Sequence, residues 1–300
     1  PAAEPAASSD APAESGKTYT VGVCQLVQHE ALDAATQGFV DALKEALGDA
    51  VTIDVQNASG DSVNCGTIVN GFVAKGDLIM ANATPALTAA VSATADIPIL
   101  GTSITAYGVA LDIDDFSGTV GGNVSGTSDL ADLQKQAQMI LDWFPETKTV
   151  GLLFCSAEPN SRYQIDEVRK ALEAQGVTCE EFAFTDSNDV SSVAQKAADF
   201  SDVVYIPTDN TAASNTEAIA NVLIPAGVPA ICGEEGLCRG CGVATLSISY
   251  YDLGVTTGKM AAKILKGEAN ISEMPVEYTD ATPKYNASIC DQLGITPLDG

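Results

Sequence analysis

The pattern that most limits how this 300-residue chain can fold is an alternation of strand and helix that occurs twice. Residues 19–26 are apolar and β-prone and read as a strand. Ala31, Ala34, Ala35, Phe39, Leu43 and Leu47 then recur at helical spacing, and Gly48 ends that helix. Strands follow at 51–56, 77–81 and 97–101, separated by helices at 63–74 and 85–93. A βαβαβαβ run of this kind favours a parallel sheet with helices on both faces. The run returns in the same order. Val150 echoes Val21, Val177 echoes Val51, Asp202 echoes Asp77, Thr208 echoes Thr84 and Gly227 echoes Asp96.

The expected fold is therefore α/β: two Rossmann-like lobes with parallel sheets, related by duplication and joined by a multi-strand hinge. A helix at 250–265, a strand at 276–278 and a short helix at 288–293 do not begin a third lobe. They imply that the chain crosses between lobes near 122–125, 248–250 and 280–283. Lobe one is then 17–123 plus 250–279, and lobe two is 124–249 plus 280–300. Several parallel crossings make a hinge about which two rigid lobes can close.

With 46% hydrophobic and 18% charged residues the chain can build sizeable cores. A net charge of -26 without a basic stripe repels phosphates and anionic lipid, so no nucleic-acid partner is expected. No apolar run reaches the roughly 18–20 residues of a membrane span. Residues 1–16 are rich in Pro, Ala, Ser and Glu and read as a disordered tether. A tether ahead of a folded domain suits an extracytoplasmic protein, lipid-anchored to the outer face of the cytoplasmic membrane.

The chemistry-bearing residues argue against an enzyme. There is no phosphate loop, no GxGxxG after the first strand and no GxSxG elbow. His29 is the sole imidazole, so a Ser or Cys nucleophile has one possible base. At a helix start it reads as a cap or surface residue. Among the eight cysteines, Cys238 and Cys241 form a CxxC in what reads as a Gly-rich loop. It lacks the second pair a zinc site needs, and free thiols or a local disulfide fit better. No metal and no cofactor are expected.

In parallel sheets, ligands bind outside the carboxyl ends of the strands. Facing lobes put two such rims across one cleft. The candidate ligand-binding residues are Gln28, Thr84, Ser103, Glu158, Asn160, Ser161, Asp209, Asn210 and Glu234. Thr84 reads as an N-cap with Pro85 as the first helical residue, and freed N–H groups there would favour a carboxylate. Asn160 and Ser161 open another helix and suit the same group. Asp209 is either the acceptor for an ammonium group or an ordinary N-cap. Glu234 and Glu235 are a second acceptor or simply solvated. Gln28, Ser103, Tyr107 and Phe154 are candidates to shape the side-chain pocket. Trp143, in a helix at 134–144, reads as packing. Anion-friendly helix starts facing an acidic acceptor fit a zwitterion, meaning a free amino acid.

At these loops the chain resembles the tryptophan/tyrosine-type ABC transporter substrate-binding family. The matching pieces, in order, are Val27-Gln-His-Glu-Ala-Leu-Asp33, Gln56-Asn-Ala-Ser-Gly-Asp61, Ala83-Thr-Pro-Ala86 and Gly122-Asn-Val-Ser-Gly-Thr-Ser-Asp129. Glu158-Pro-Asn-Ser161, Tyr205-Ile-Pro-Thr-Asp-Asn210 and the segment from Tyr250 to Ala262 follow. The resemblance implies a type I periplasmic-binding fold, an aromatic or related amino acid as ligand, and delivery to a membrane permease and ATPase. It also implies that the Thr84, Asn160/Ser161 and Asp209 loops hold the amino-acid backbone. The chain departs from the family at Glu30, where Pro is frequent, at Pro159, where Ala is frequent, and at Phe154-Cys155, where Tyr-Asn is frequent. A monomer is expected. The alternative function is a ligand-sensing receptor of the same fold that signals to a membrane partner.

Overall fold

The computed structural model describes residues 16–298. The expected tether, apart from Gly16, lies outside the described residues. The first half of the chain forms β1 (Tyr19–Gln25), α1 (Glu30–Leu47), β2 (Val51–Asn57), α2 (Ser62–Val73) and β3 (Leu78–Asn82). It continues with α3 (Thr84–Ala93), β4 (Ile99–Ile104), α4 (Tyr107–Ala110) and β5 (Val124–Ser128). The second half forms α5 (Leu133–Trp143), β6 (Thr149–Cys155), α6 (Pro159–Glu173), β7 (Thr178–Phe184), α7 (Val190–Phe200) and β8 (Val203–Ile206). Then come α8 (Asn210–Ala213), α9 (Thr216–Ala226), β9 (Ala230–Cys232), α10 (Glu235–Cys241) and β10 (Ala244–Ser247). The return comprises α11 (Tyr250–Leu265), β11 (Glu277–Tyr278), β12 (Thr282–Tyr285) and α12 (Ala287–Leu293).

Two six-stranded sheets result, ordered β11-β5-β4-β3-β1-β2 and β12-β10-β9-β8-β6-β7. The shared order makes the duplication visible in space. Every pairing is parallel except β10 with β12. Period-two alternation explains how one strand serves two cores. In β3, Leu78 and Met80 join Phe39, Leu43 and Met260 under α1 and α11, while Ile79 and Ala81 join Val69, Phe72 and Leu87 under α2 and α3. In β8, Val203 and Tyr205 face α5 and α6, and Val204 and Ile206 face α7 and α9.

The first sheet also takes β5, so the first lobe runs past the expected boundary at residue 123. The chain therefore leaves the first sheet after Ser128, later than the expected 122–125. It leaves the second after Ser247 and crosses again between Tyr278 and Thr282. The expected loop around Cys238 and Cys241 is helix α10, started by the Glu234 carboxylate, which accepts from the N–H groups of Gly236 and Leu237. All eight cysteines are free thiols, and only Cys179 is not fully buried. No helix among the described residues is long and apolar enough to cross a membrane.

Helix α11 lies along α1, and two glycines permit the contact. A Cβ on Gly254 would fall 1.9 Å from the Ala35 carbonyl oxygen, and one on Gly38 would fall 2.1 Å from that of Tyr251. This pair of helices brings His29 and Tyr250, at their N-terminal ends, to the same end of the lobe.

Candidate ligand-binding site

The carboxyl ends of the two sheets face each other across a narrow cavity. Lobe one lines it with His29 and Leu32 at the start of α1, Ser103 and Thr105 at the end of β4, Asp129 beyond β5 and Tyr250 at the start of α11. Lobe two adds Asn160 from α6, Thr208, Asp209, Asn210 and Ala213 around α8, and Glu234 ahead of α10. The lobes touch here: Thr105 and Thr208 hydroxyls are 3.3 Å apart, and His29 Nε2 is 3.2 Å from Asn210 Oδ1. Nearer the surface, Arg239 of α10 pairs with Glu30 of α1 at 2.6 Å. No Lys or Arg lines the cavity, so its fixed charge is acidic.

In lobe two, carboxylates already serve the helix starts. Asp209 Oδ1 accepts from Ala212 N–H at 2.8 Å, while Oδ2 accepts from Cys155 N–H at 2.6 Å and Ser161 Oγ at 2.7 Å. Glu158 Oε1 accepts from the N–H and hydroxyl of Thr211, both at 2.8 Å. Its Oε2 accepts from Asn210 N–H at 3.0 Å and Asn210 Nδ2 at 2.8 Å. Glu234 holds Gly236 and Leu237 N–H groups at 2.6 Å each. A helix N-terminus attracts anions through free N–H groups and the macrodipole. At α8 and α10 the protein's own carboxyl oxygens already fill that place. Burial raises Asp209 to about 8, with the Glu158 charge acting the same way, and burial raises Glu234 to about 7.

Lobe one offers less saturated groups. Asp129 is 5% exposed; its Oδ2 accepts from the Tyr250 hydroxyl at 2.7 Å, and its buried Oδ1 has no hydrogen-bond partner. Burial pushes its pKa up, against the pull of the Tyr250 and Thr105 hydroxyls and of its own backbone N–H. Ser103 Oγ is likewise buried and unpartnered. Ser103 sits at φ 55 beside a break in the β4–β5 register, and Ala83 ahead of α3 sits at φ 88. Such backbone costs about 1–3 kcal/mol per residue and collects at functional sites. His29 is the N-cap of α1 but its side chain makes no capping bond. Burial lowers its pKa, so the ring is neutral.

Of the nine expected residues, Ser103, Asn160, Asp209, Asn210 and Glu234 line the cavity. Ser161 and Glu158 stand behind it, bonded to Asp209 and to Asn210 and Thr211. Thr84 is buried outside the lining. It is the first residue of α3 and Ala83 is the N-cap, which shifts the expected cap by one position. Gln28 is exposed at the outer mouth, beside Glu30 and Arg239. Tyr107 and Phe154 are core residues, not pocket walls. Asp129, Tyr250, Thr105, Thr208, Leu32 and Ala213 are additions, and His29, read as a cap or surface residue, joins them. The family segments ending at Asp129 and opening at Tyr250 were the available signal for two of these. Neither His29 nitrogen bonds a hydroxyl or thiol.

A family model described as ABC transporter substrate binding protein matches residues 20–299. A tyrosine-binding protein of Clostridioides difficile (strain R20291) is 33% identical over 276 residues, covering 90% of this chain and 79% of that protein. The structure is similar to an ABC domain from Streptococcus pneumonia in complex with L-Trp, at 33% identity and TM-score 0.88, covering 93% of this chain and 96% of that one. It is less similar to the ligand-free, open structure of a substrate-binding protein with adhesive properties from Clostridium difficile. That match has 35% identity, TM-score 0.71, and covers 94% of this chain and 96% of the other. With identity nearly equal, the chain superposes better on the L-Trp complex than on the ligand-free, open structure.

Proposed function

This chain belongs to the ABC transporter substrate-binding protein family, and we propose that it captures a free aromatic amino acid between its lobes for a membrane permease and its ATPase. It would work outside the cytoplasmic membrane and leave its ligand chemically unchanged. The observation that carries the reading is the cavity between the strand ends, which is acidic, polar and bounded by both lobes. A ligand touching both lobes stabilises the closed arrangement by its differential affinity for it. Relatives that bind tyrosine and L-Trp point to the aromatic class. Leu32, Ala213 and the Tyr250 ring are the apolar surfaces available beside the polar set.

The decisive test is calorimetric titration of the purified protein with the twenty amino acids. Saturable binding of Trp, Tyr or Phe is expected. Failure of all twenty to bind would sink the amino-acid reading. Binding confined to non-aromatic ones would overturn the aromatic assignment alone.

A further inference from the structure

Cavity-lining residues carry three buried acceptor atoms without a partner, and their identities follow from the bonds their other atoms make. Asp129 Oδ2 is held by Tyr250, which leaves Oδ1 unpartnered. Asn160 Nδ2 donates to the Thr208 carbonyl at 3.0 Å and to Glu158 Oε2 at 3.2 Å, so its orientation is set and the unpartnered atom is the oxygen Oδ1. Asn210 Nδ2 donates to Glu158, so its Oδ1 is the acceptor that meets His29 Nε2. The proton of the neutral ring is therefore on Nε2, and the buried, unpartnered Nδ1 carries the lone pair.

The other carboxylates at the cleft do not compete. Both oxygens of Asp209, Glu158 and Glu234 are occupied by backbone and side-chain donors. Unpaired buried acceptors are costly to the protein. A group able to satisfy them all gains that differential on entry. An alkylammonium has three N–H donors and one positive charge.

We infer that Asp129 Oδ1, His29 Nδ1 and Asn160 Oδ1 together receive the three N–H bonds of a primary ammonium group on the ligand. Asp129 supplies the countercharge, and the two neutral acceptors set the count at three. Two of them belong to lobe one and Asn160 to lobe two, so the same group would be gripped only on closure. The unpartnered Ser103 hydroxyl remains as a donor for another part of the ligand. This rests on the amino-acid reading above and sharpens it: the site would select for a primary amine, against secondary and tertiary amines and against ligands lacking nitrogen.

The test is a cycle between protein and ligand, read by calorimetry. Wild-type protein is titrated with L-Trp, L-Tyr and L-Phe, and then with the N,N-dimethyl and deamino analogues of whichever binds. The same titrations follow for D129N, with H29A and Y250F alongside. The deamino and N,N-dimethyl analogues are expected to bind wild type about 10- to 100-fold more weakly. D129N is expected to lose a similar factor for the amino acid and nothing for the deamino analogue. H29A is expected to lose about threefold or more, again only for the amino acid. If wild type binds no amino acid, the proposed function fails and this inference falls with it. If wild type binds but D129N stays within threefold, or both ligands weaken equally on mutation, the ammonium assignment is overturned and the function stands. Should D129N fail to fold, the dimethyl analogue on wild type still decides: equal affinity rejects the acceptor set.

Discussion

Burial at the cleft keeps carboxylic acids protonated well above their ordinary range, and this gives the free protein an unusual pH response. Asp209, raised to about 8, and Glu234, raised to about 7, bind protons more tightly folded than unfolded. Stability from this source is fully present below the unfolded values near 4 and declines as pH rises through 7 to 8. Urea unfolding without ligand should therefore show falling stability between pH 5.5 and 9. E234Q should flatten part of that slope, and a slope unchanged in E234Q would reject the assignment. Ligand ammonium entering beside these acids should shift them toward the ionised form, so binding should release protons. At this scale sequence reading reached Asp209 and Glu234 because each follows a strand and precedes a helix. It weighed Asp209 as cap or ligand acceptor, and its bonds are those of a cap, inside the cavity wall. Asp129 had no such signal. It follows Val124-Ser-Gly-Thr-Ser128, which looks like a loop, and its burial depends on α11, more than a hundred residues later (121 separate it from Tyr250).

At the scale of elements, the α1–α11 contact carries the most specific constraint. G254A would drive a methyl into the backbone of Ala35, where no side chain can give way. Overpacking of this kind costs about 1–3 kcal/mol, and more where only backbone can move. Chemical denaturation should show that loss, and ligand affinity should fall too, because α1 and α11 place His29 and Tyr250. Wild-type stability in G254A would mean that the helices are not packed as described. Most elements were legible in advance: α11 was expected at 250–265 and found there, and β2 ends one residue later than expected. Two were not. β5 has one aliphatic residue among five, and pairing between β4 and β11, not local pattern, makes it a strand. Helix α10 was masked by Gly236, Gly240 and Gly242, which read as loop. A capping carboxylate and a buried face of Leu237, Cys238 and Cys241 outweigh their low helix propensity.

The whole molecule is two sheets with their helices on three connections, and hydrogen bonds and an ion pair join them across the cleft. The side-chain bonds among them are polar, and exposed pairs such as Arg239–Glu30 are worth at most about 1 kcal/mol. Without ligand the lobes should therefore separate easily. Small-angle X-ray scattering is expected to give a smaller radius of gyration with a bound amino acid than without. An identical radius in both states would argue against hinge closure as the capture step.

The order of the strands bears finally on how the chain comes to be folded. Each sheet is finished by a strand from the end of the sequence, β11 at Glu277–Tyr278 for the first and β12 at Thr282–Tyr285 for the second. Helix α11, which covers one face of the first sheet, also comes late. The pairing of Glu277 with Thr127 slows folding of the first lobe, because a long loop must close before it forms. A partly synthesised chain can assemble strands but complete neither lobe until its last few dozen residues are available. Until residues 277–285 can pair, neither sheet is complete, and both lobes stay open to proteases and chaperones for longer than their early strands alone would imply.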